Sequence, residues 1–476
     1  MTTPRHATPH GPASLFGRSV AFFGIVSMSF SLLAKNGAYS ETKHGNPASG
    51  VRRRTDIPPG DCGQCHDDHS TSGGERSPPH RHSLFTDDDN ELCFSCHNDP
   101  GAHRIWPGGI LWSRSGHALS SRMTWPGPQP ASRPSSDSGK CINCHDPHGD
   151  RDGKGLIPSM LAVREEQLCT RCHDGLRGAD IRRQLQQRYT HPIGRTGRHD
   201  VAEGSDRSRF GTMPDNRHAE CSDCHNSHSV QGDQIPPSAP AASARITGVS
   251  RIQVTNGAAG TAPIYTWRSA DERSFENEYE ICFKCHSGWT TQPAGQSDLA
   301  LLTNPSNASY HPIQAAGKNR NIDPAAFTTG WSWDRGTYCT DCHTGDDSTV
   351  RGPHGSAYRY ILKKSSPATP QPQTMPPDDL CFDCHSYDVY GNATASAQAQ
   401  RASRFNAPNI AGHAYHTGGQ QIPCFACHET HGSVRNAALI STRRMPGVVS
   451  YLQTPTGGTC TSTCHAPRTY TVNYPR

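Results

Sequence analysis

The placement of cysteine constrains this chain more than any other feature of its sequence. All 20 cysteines fall into ten pairs, and a histidine follows every pair directly. Nine pairs have the spacing C-x-x-C-H, and the tenth has one extra residue between its cysteines. Numbered 1 to 10 along the chain, the motifs are Cys62/Cys65/His66, Cys93/Cys96/His97, Cys141/Cys144/His145, Cys169/Cys172/His173, Cys221/Cys224/His225, Cys282/Cys285/His286, Cys339/Cys342/His343, Cys381/Cys384/His385, Cys424/Cys427/His428 and Cys460/Cys464/His465.

The C-x-x-C-H motif is an attachment sequence for c-type haem. On a helical turn, positions i, i+3 and i+4 share a face, so two thiols can bond the vinyl edge of a porphyrin while the imidazole reaches the iron. Zinc ribbons and disulfides also use paired cysteines, but neither needs a histidine after every pair. Histidine makes up only 28 of 476 residues. The sequence therefore predicts ten covalently bound haem c groups, although whether the longer motif at Cys460 is loaded stays open.

A second histidine is expected on each iron, and two recurring sets supply candidates. One set follows the odd-numbered motifs: His69, His148, His228, His354 and His431. The other set precedes those motifs: His44, His117, His191, His311 and His416. A histidine three residues beyond a proximal histidine cannot reach the far face of the same iron, because the porphyrin lies between. It must serve a different haem, so neighbouring haems are expected to lie close together.

The assignment of individual second ligands stays open at the level of sequence. His413 competes with His416, and five further histidines are plausible substitutes: His80, His82, His103, His199 and His218. The pairing of each second histidine with its haem is not readable either. No catalytic residue is assigned.

Composition favours an interior filled by something other than protein. Only 33% of residues are hydrophobic, against about 45–50% in ordinary globular chains on a slightly different count. The expected fold is mostly irregular and haem-packed, with short α-helices and one or two β-hairpins. Helices are predicted within 164–173 and 278–286. One hairpin is predicted from 245–254 and 263–268 around Asn256-Gly257, and another from 447–453 and 468–474.

The motifs alternate in type, which predicts five tandem modules of two haems each. Odd motifs carry the trailing histidine, and even motifs follow an acidic and aliphatic lead such as Glu91-Leu92 or Glu280-Ile281. Such an array is a quasi-linear repeat. The expected boundaries are a signal peptide at 1–38 and modules at 39–110, 111–185, 186–300 (with the hairpin insertion), 301–400 and 401–476.

Export is expected from the N-terminal segment. Residues 21–34 are a 14-residue apolar run, shorter than the 17 or more residues of a membrane-spanning helix. Arg18 precedes the run and Asn36-Gly37-Ala38 offers a small-residue cleavage site, which is the layout of a secretory signal peptide. The expected mature chain is secreted, to the periplasm or the cell surface, without a membrane span.

The net charge gives no sign of nucleic-acid binding. It is +4 for the whole sequence, and removing the three basic residues of 1–38 leaves +1. Arginine outnumbers lysine 38 to 8. Arginine suits fixed carboxylate partners such as haem propionates, while a bias in genomic base composition explains the same skew equally well.

The sequence resembles the doubled C-x-x-C-H family of multihaem c-type cytochromes, found in metal-respiring bacteria. The resemblance depends on the paired motifs, on Cys-His-Asp-Pro-His-Gly at 144–149 and on Glu-Leu-Cys-Phe-x-Cys-His at 91–97. It implies electron transfer in the periplasm or outside the cell through closely stacked haems with two histidine ligands each. The gaps between motifs 5 and 6 and between motifs 7 and 8 are unusually long for the family.

Two functions are compatible with these features. The first is an electron conduit, a decahaem cytochrome that passes electrons to other redox cytochromes or to extracellular acceptors. The surplus histidines also permit a filament in which one subunit lends a histidine to the next. The alternative is a multihaem reductase, which needs one iron with an open position. The tenth site and the first module are where such an iron is expected.

Overall fold

The protein is described from a computed structural model that covers residues 38–67, 83–86, 90–97, 112–121, 139–193 and 218–471, except 154, 271, 273, 274, 294, 408 and 409. Within these ranges most of the chain is irregular, as the sequence predicts. The expected signal segment and five of the candidate histidines lie outside them: His69, His80, His82, His103 and His199.

The described helices are short, and the longest ones carry even-numbered motifs. They are α1 (Asn90–His97), α2 (Gly116–Leu119), α3 (Glu165–Cys172), α4 (Ile181–Gln184), α5 (Glu278–His286), α6 (Leu299–Leu302), α7 (Tyr387–Tyr390), α8 (Ala397–Arg401) and α9 (Cys424–Cys427). The helices predicted within 164–173 and 278–286 are confirmed. Acidic residues in the first turn of α3 and α5 favour these helix starts through the helix dipole.

The strands are mostly two residues long and pair antiparallel. They are β1 (Arg151–Asp152), β2 (Gly155–Leu156), β3 (Tyr189–Thr190), β4 (Arg251–Thr255), β5 (Ile264–Arg268), β6 (Ser309–Tyr310), β7 (Gly355–Ser356), β8 (Asn406–Ala407), β9 (Ile410–Ala411), β10 (Gly432–Ser433), β11 (Val448–Thr454), β12 (Gly457–Ser462) and β13 (Arg468–Thr471). β1 pairs with β2 and β4 with β5, while β3–β7 and β6–β10 join segments far apart in sequence. The largest sheet has the order β11-β12-β13-β8-β9.

The structure confirms one predicted hairpin, with shorter strands, and contradicts the other. The pairing of β4 with β5 confirms the first, but residues 245–250 are not part of its strands. The expected pairing of 447–453 with 468–474 is wrong. Both β11 and β13 instead pair with β12, which carries Cys460 between them. The sequence of β12 is rich in Gly and Thr and gave no strand signal, because its partners rather than its own side chains hold it in place.

The apolar core of the described residues is small: a minor cluster around Ala162 and Leu168 lies beside Cys144, and the larger cluster lies beside motif 6. Ile252, Phe283, Trp289 and Ala300 are its buried members. Partly buried side chains from the β4–β5 hairpin and from α5 and α6 pack against them. Elsewhere the interior is a continuous cavity of about 5750 Å³. Protein side chains therefore fill only part of the interior.

None of the helices in the described ranges is long and apolar enough to cross a membrane.

Truncating Phe283 tests the small core. Its ring is 1% exposed, and removing a buried phenylalanine side chain costs about 3–5 kcal/mol. We expect Phe283→Ala to lower the free energy of opening of the β4–β5 hairpin by about that amount, measured by amide hydrogen exchange. Phe275 is 74% exposed, so Phe275→Ala should change it by no more than about 0.5 kcal/mol. Equal effects of the two substitutions would contradict the assignment of this core.

Candidate haem-binding sites

Most motifs place their two cysteines and histidine on one turn of helix. Motifs 2, 4 and 6 lie at the ends of α1, α3 and α5. Motifs 1, 3, 5 and 7 start in 3-10 turns, as does motif 8, and motif 9 forms α9. In motifs 1, 3, 4, 5, 7, 8 and 9, the backbone N–H of the histidine donates to the backbone carbonyl of the first cysteine at 2.9–3.0 Å. This bond holds both thiols and the imidazole on the same face.

The tenth motif is built differently. Cys460 lies in β12, opposite Tyr451 on one side and Arg468 on the other. The chain then bends, and the Ser462 hydroxyl accepts hydrogen bonds from the backbone N–H groups of Cys464 and His465. The extra residue is therefore accommodated by a strand and a serine-capped turn instead of a bulged helix.

Each proximal histidine faces one other histidine ring. The ten ring pairs have centroids 5.9–6.5 Å apart. In motif order they are His66–His148, His97–His44, His145–His228, His173–His117, His225–His354, His286–His191, His343–His431, His385–His311, His428–His413 and His465–His416. The pairs include nine of the ten second-ligand candidates, and His413 takes the remaining place.

These separations fit one metal ion held between the two rings of a pair. With metal–nitrogen distances of about 2.0–2.1 Å, and ring centres about 1.1 Å behind the nitrogen, the centroids would lie roughly 6.3 Å apart. Ordinary aromatic pairs span about 4.5–7 Å, so the distance alone does not identify a metal site. What the ten pairs add is recurrence, because every proximal histidine faces another histidine within the same narrow range of spacing. The residues present therefore fit an iron held by two imidazoles at every motif.

The angle between the paired rings alternates along the chain. At the odd-numbered motifs the two imidazole planes are nearly parallel, at 8–19°. At the even-numbered motifs the planes are crossed, at 42–69°. The two types of motif are thus two types of site.

A simple register explains which histidine pairs with which motif. An odd motif uses the trailing histidine that follows the next odd motif, as His225 of motif 5 does with His354 after motif 7. An even motif uses the leading histidine that precedes the odd motif before it, as His286 of motif 6 does with His191. In this register, the leading histidine of a two-motif unit pairs with the even motif of the same unit. Its trailing histidine pairs with the odd motif of the unit before it.

Motif 9 departs from this register. His413 faces His428, and its neighbour His416 faces His465 of motif 10. His413 is the N-cap of a π-helical turn over Ala414–Gly419, which contains His416. The trailing histidine of motif 1, His69, lies outside the described residues.

Backbone carbonyls orient the leading histidines. The Nδ1 atoms of His117, His191 and His311 hydrogen-bond the carbonyls of Ser227, Pro353 and Thr430. His44 hydrogen-bonds the backbone of Pro147. Each of these acceptors directly precedes a trailing histidine. When Nδ1–H donates in this way, the other ring nitrogen is left to bind a metal.

Strained turns orient the proximal histidines of three odd motifs. The Nδ1 atoms of His145, His343 and His428 hydrogen-bond the carbonyls of Ser159, Tyr360 and Ala438, at 2.8–3.1 Å. These three acceptor residues have φ values of +52 to +64°, a region that non-glycine residues rarely occupy. Such strain is typical of functional sites, and here it directs a carbonyl at an imidazole.

Burial keeps these imidazoles neutral, which is the form that binds metals. It lowers the pKa of His413 and His431 to about 3. It lowers the pKa of His228, His354 and His385 to about 4. Neighbouring histidines add a smaller effect in the same direction.

The acidic leads of two even motifs join consecutive modules. The Glu165 carboxylate accepts hydrogen bonds from the backbone N–H and hydroxyl of Ser222, inside motif 5. Glu278 does the same with Thr340, inside motif 7. At the corresponding earlier junction, Asn90 accepts from the N–H of Cys141. The sequence marks Glu165 as part of such a lead, but at motif 6 it marks Glu280 and not Glu278. It gives no sign that either carboxylate connects two motifs.

The cysteines place the ten motifs in linear order. At four junctions the first cysteine of an even motif lies within hydrogen-bonding reach of the first cysteine of the next odd motif: Cys93–Cys141, Cys169–Cys221, Cys282–Cys339 and Cys381–Cys424. Within four modules the second cysteines are electrostatic neighbours, as in Cys144 and Cys172. Consecutive motifs are therefore neighbours at these four junctions and within these four pairs.

The cavity has the size and lining that ten bound groups require. All 20 cysteines and all 20 paired histidines line it. Shared among ten groups, about 5750 Å³ is somewhat under 600 Å³ each, within the range of about 300–1,000 Å³ for single-ligand sites.

Comparison with known families gives a class for these sites. Two regions, residues 134–178 and 334–389, match the family model described as the doubled CXXCH motif. Each region contains one odd and one even motif, and the doubled motif is typical of multihaem c-type cytochromes, which transfer electrons. The CXXCH motifs indicate covalently bound c-type haem. Comparisons with curated proteins and with solved structures found no match.

A substitution at Gly355 tests the positioning of two second histidines. Gly355 is the first residue of β7 and directly follows His354. β7 pairs with β3, whose last residue directly precedes His191. A Cβ at Gly355 would lie 1.9 Å from the carbonyl oxygen of Gln184, at the end of α4, and 3.0 Å from the side chain of Thr190 in β3. Gly355→Ala must therefore displace β7 from α4 and from β3. We expect a high-spin ferric signal of about two haems in electron paramagnetic resonance (EPR) spectra, and a loss of stability of about 1–3 kcal/mol.

The matched control is Gly232→Ala, because a Cβ at Gly232 meets no atom within 4 Å. This variant should keep the wild-type spectrum and melting temperature. Identical behaviour of the two variants would contradict the role of the β3–β7 pair.

Proposed function

We propose that this protein is a decahaem c-type cytochrome that carries electrons from one end of a linear haem array to the other. The ten ring pairs carry the proposal, because each joins a proximal histidine to a second histidine of the same chain at the spacing of a shared metal ion. Bound between two imidazoles, each haem iron would exchange one electron between its ferric and ferrous states.

The chain's own residues suit this task. Fixed carbonyls hold the imidazoles in place, so that little rearrangement accompanies a change of charge. Two histidine ligands give lower potentials than a methionine and a histidine, which suits respiratory electrons that leave the cell. With a second histidine at every motif, a substrate finds no open coordination position, which disfavours the reductase.

Access differs between the ends and the middle of the array. The exposed cysteines are Cys62, Cys96 and Cys464, in motifs 1, 2 and 10, while the other 17 are partly buried. Electrons would therefore enter and leave at the two ends. The partners we propose are other redox cytochromes or extracellular acceptors, met in the periplasm or at the cell surface after export.

A filament is compatible with this arrangement, but its haems would not need a histidine from a neighbouring subunit. Within the described residues every proximal histidine already has its partner ring in the same chain. Any end-to-end assembly would therefore depend on surface contacts near motifs 1 and 10.

Haem stoichiometry and EPR of the air-oxidised mature protein give the first test. We expect ten haems per chain, all low-spin. Because the angle between axial imidazole planes sets the splitting of the iron d orbitals, parallel and crossed pairs should give two distinct low-spin signals in equal amounts. A high-spin signal of one haem in the wild type would instead favour the reductase, and a chain without haem would refute both functions.

The departure from the register at motif 9 gives a second, sharper test. We expect His413→Ala to open the iron of motif 9 and produce a high-spin signal of about one haem. His69→Ala should leave all ten haems low-spin, because ten rings are already paired without it. The opposite result would assign the tenth ligand to His69.

Removal of one central site tests conduction. The mature protein would be attached to an electrode through a C-terminal peptide tag, and the haems reduced at a fast scan rate would be counted. In the wild type we expect all ten. The double variant Cys221→Ala/Cys224→Ala lacks the haem of motif 5. At a fast scan rate only the five haems of motifs 6–10 should be reduced, whereas all nine remaining haems should be reduced at equilibrium. A fast response from all nine would argue against transfer along the array.

A further inference from the structure

A lysine is enclosed in the middle of the array, inside motif 6. Lys284 is one of only eight lysines in the sequence, and it occupies the position before Cys285. Its side chain is 1% exposed. Sites 5 and 6 below are the haem sites of motifs 5 and 6.

The ammonium group of Lys284 joins the attachment loops of sites 5 and 6. It donates to the carbonyl oxygen of Asp223, inside motif 5, at 2.5 Å, and to the hydroxyl of Ser250 at 3.3 Å. Both acceptors are neutral. Within the described residues, no carboxylate lies at ion-pair distance from Lys284. The nearby buried cation differs, since Arg251 lies 3.5 Å from Glu280.

Lys284 lies beside attachment cysteines of both motifs. Cys285 follows it directly in α5, and the Asp223 carbonyl that the lysine contacts belongs to the residue before Cys224. The ammonium group therefore lies between the two attachment loops.

The other even motifs provide a comparison at the same position. Motif 2 has Ser95, motif 4 has Arg171 and motif 8 has Asp383. Asp383 is bound by Lys363 and Lys364, so its carboxylate is paired with cations. Among these, only motif 6 combines a cation with nearly complete burial, and a buried charge is screened much less than an exposed one.

We propose that Lys284 raises the reduction potentials of the haems at sites 5 and 6. In a partly reduced protein, electrons would then occupy these two central haems first. The proposal depends on the proposed function, because it assumes haem at both motifs. A fixed positive charge favours the ferrous state, which holds one more electron. Glu278, also buried, accepts a hydrogen bond from the N–H of Thr340 in motif 7, and its negative charge also acts on Cys282 of motif 6, with a sign opposite to that of Lys284. Glu278 is present in every variant below, so a difference between the variants reports the charge beside it.

Redox titration of the fully loaded protein tests the proposal. Lys284→Gln removes the charge and keeps a donor for the Asp223 carbonyl. We expect it to shift two tenths of the titration curve, the share of two haems out of ten, to lower potential. Lys284→Arg keeps the charge and should retain the wild-type curve. Ser250→Asp places a carboxylate beside the unchanged lysine and should lower the same two potentials, which covers the case that Lys284→Gln loads haem poorly.

Lys364→Gln is the matched control. This lysine also lies beside an attachment loop, but its side chain is 43% exposed, so its removal should leave the curve within experimental error. An unchanged curve in both Lys284→Gln and Ser250→Asp would overturn the proposal, as would a uniform shift of all ten haems. If the wild type carries ten low-spin haems while these variants titrate like it, the inference fails and the proposed function stands.

Discussion

The histidine of each motif faces an imidazole from another part of the chain, and the rest of the structure depends on these pairings. A chain with 33% hydrophobic residues cannot close on itself by apolar burial alone. In the proposed haem protein, coordination between the paired imidazoles would replace the missing core. The pairing of His225 with His354, for example, draws together segments that lie on either side of motif 6. The short strands β3–β7 and β6–β10 lie beside such pairs, which suggests that they follow from the coordination more than they cause it.

Secondary interactions then make the sites rigid. Carbonyl groups orient both kinds of histidine, and some of these carbonyls are placed by residues with positive φ. A residue such as Tyr360 accepts this unfavourable backbone conformation because its carbonyl has a defined partner. The carboxylates of Glu165 and Glu278 add a connection between modules that does not pass through a haem. The same positions therefore organise the array locally and along its length.

The sequence predicts the chemistry of this array better than its geometry. The spacing of the cysteines gives the attachment sites, and recurrence gives nine of the ten second histidines now found in ring pairs. The sequence does not decide between His413 and His416, because only the three-dimensional pairing shows that His413 faces motif 9 and His416 faces motif 10. The strained turns at Ser159, Tyr360 and Ala438 were invisible, since no glycine marks them. β12 was missed because strand pairing, and not local propensity, defines it.

The register of the histidines also determines how such a chain can change in length. An internal module takes one ligand from the module after it and gives one to the module before it, so a duplicated copy inserted in the middle would find the same two neighbours. The pair of motifs 9 and 10 differs, because His413 occupies the place that a trailing histidine takes elsewhere. An array of this kind can therefore lengthen by insertion of a copy between two existing modules, without any change in that pair. The number of haems becomes a matter of gene duplication and leaves the coordination chemistry unaltered.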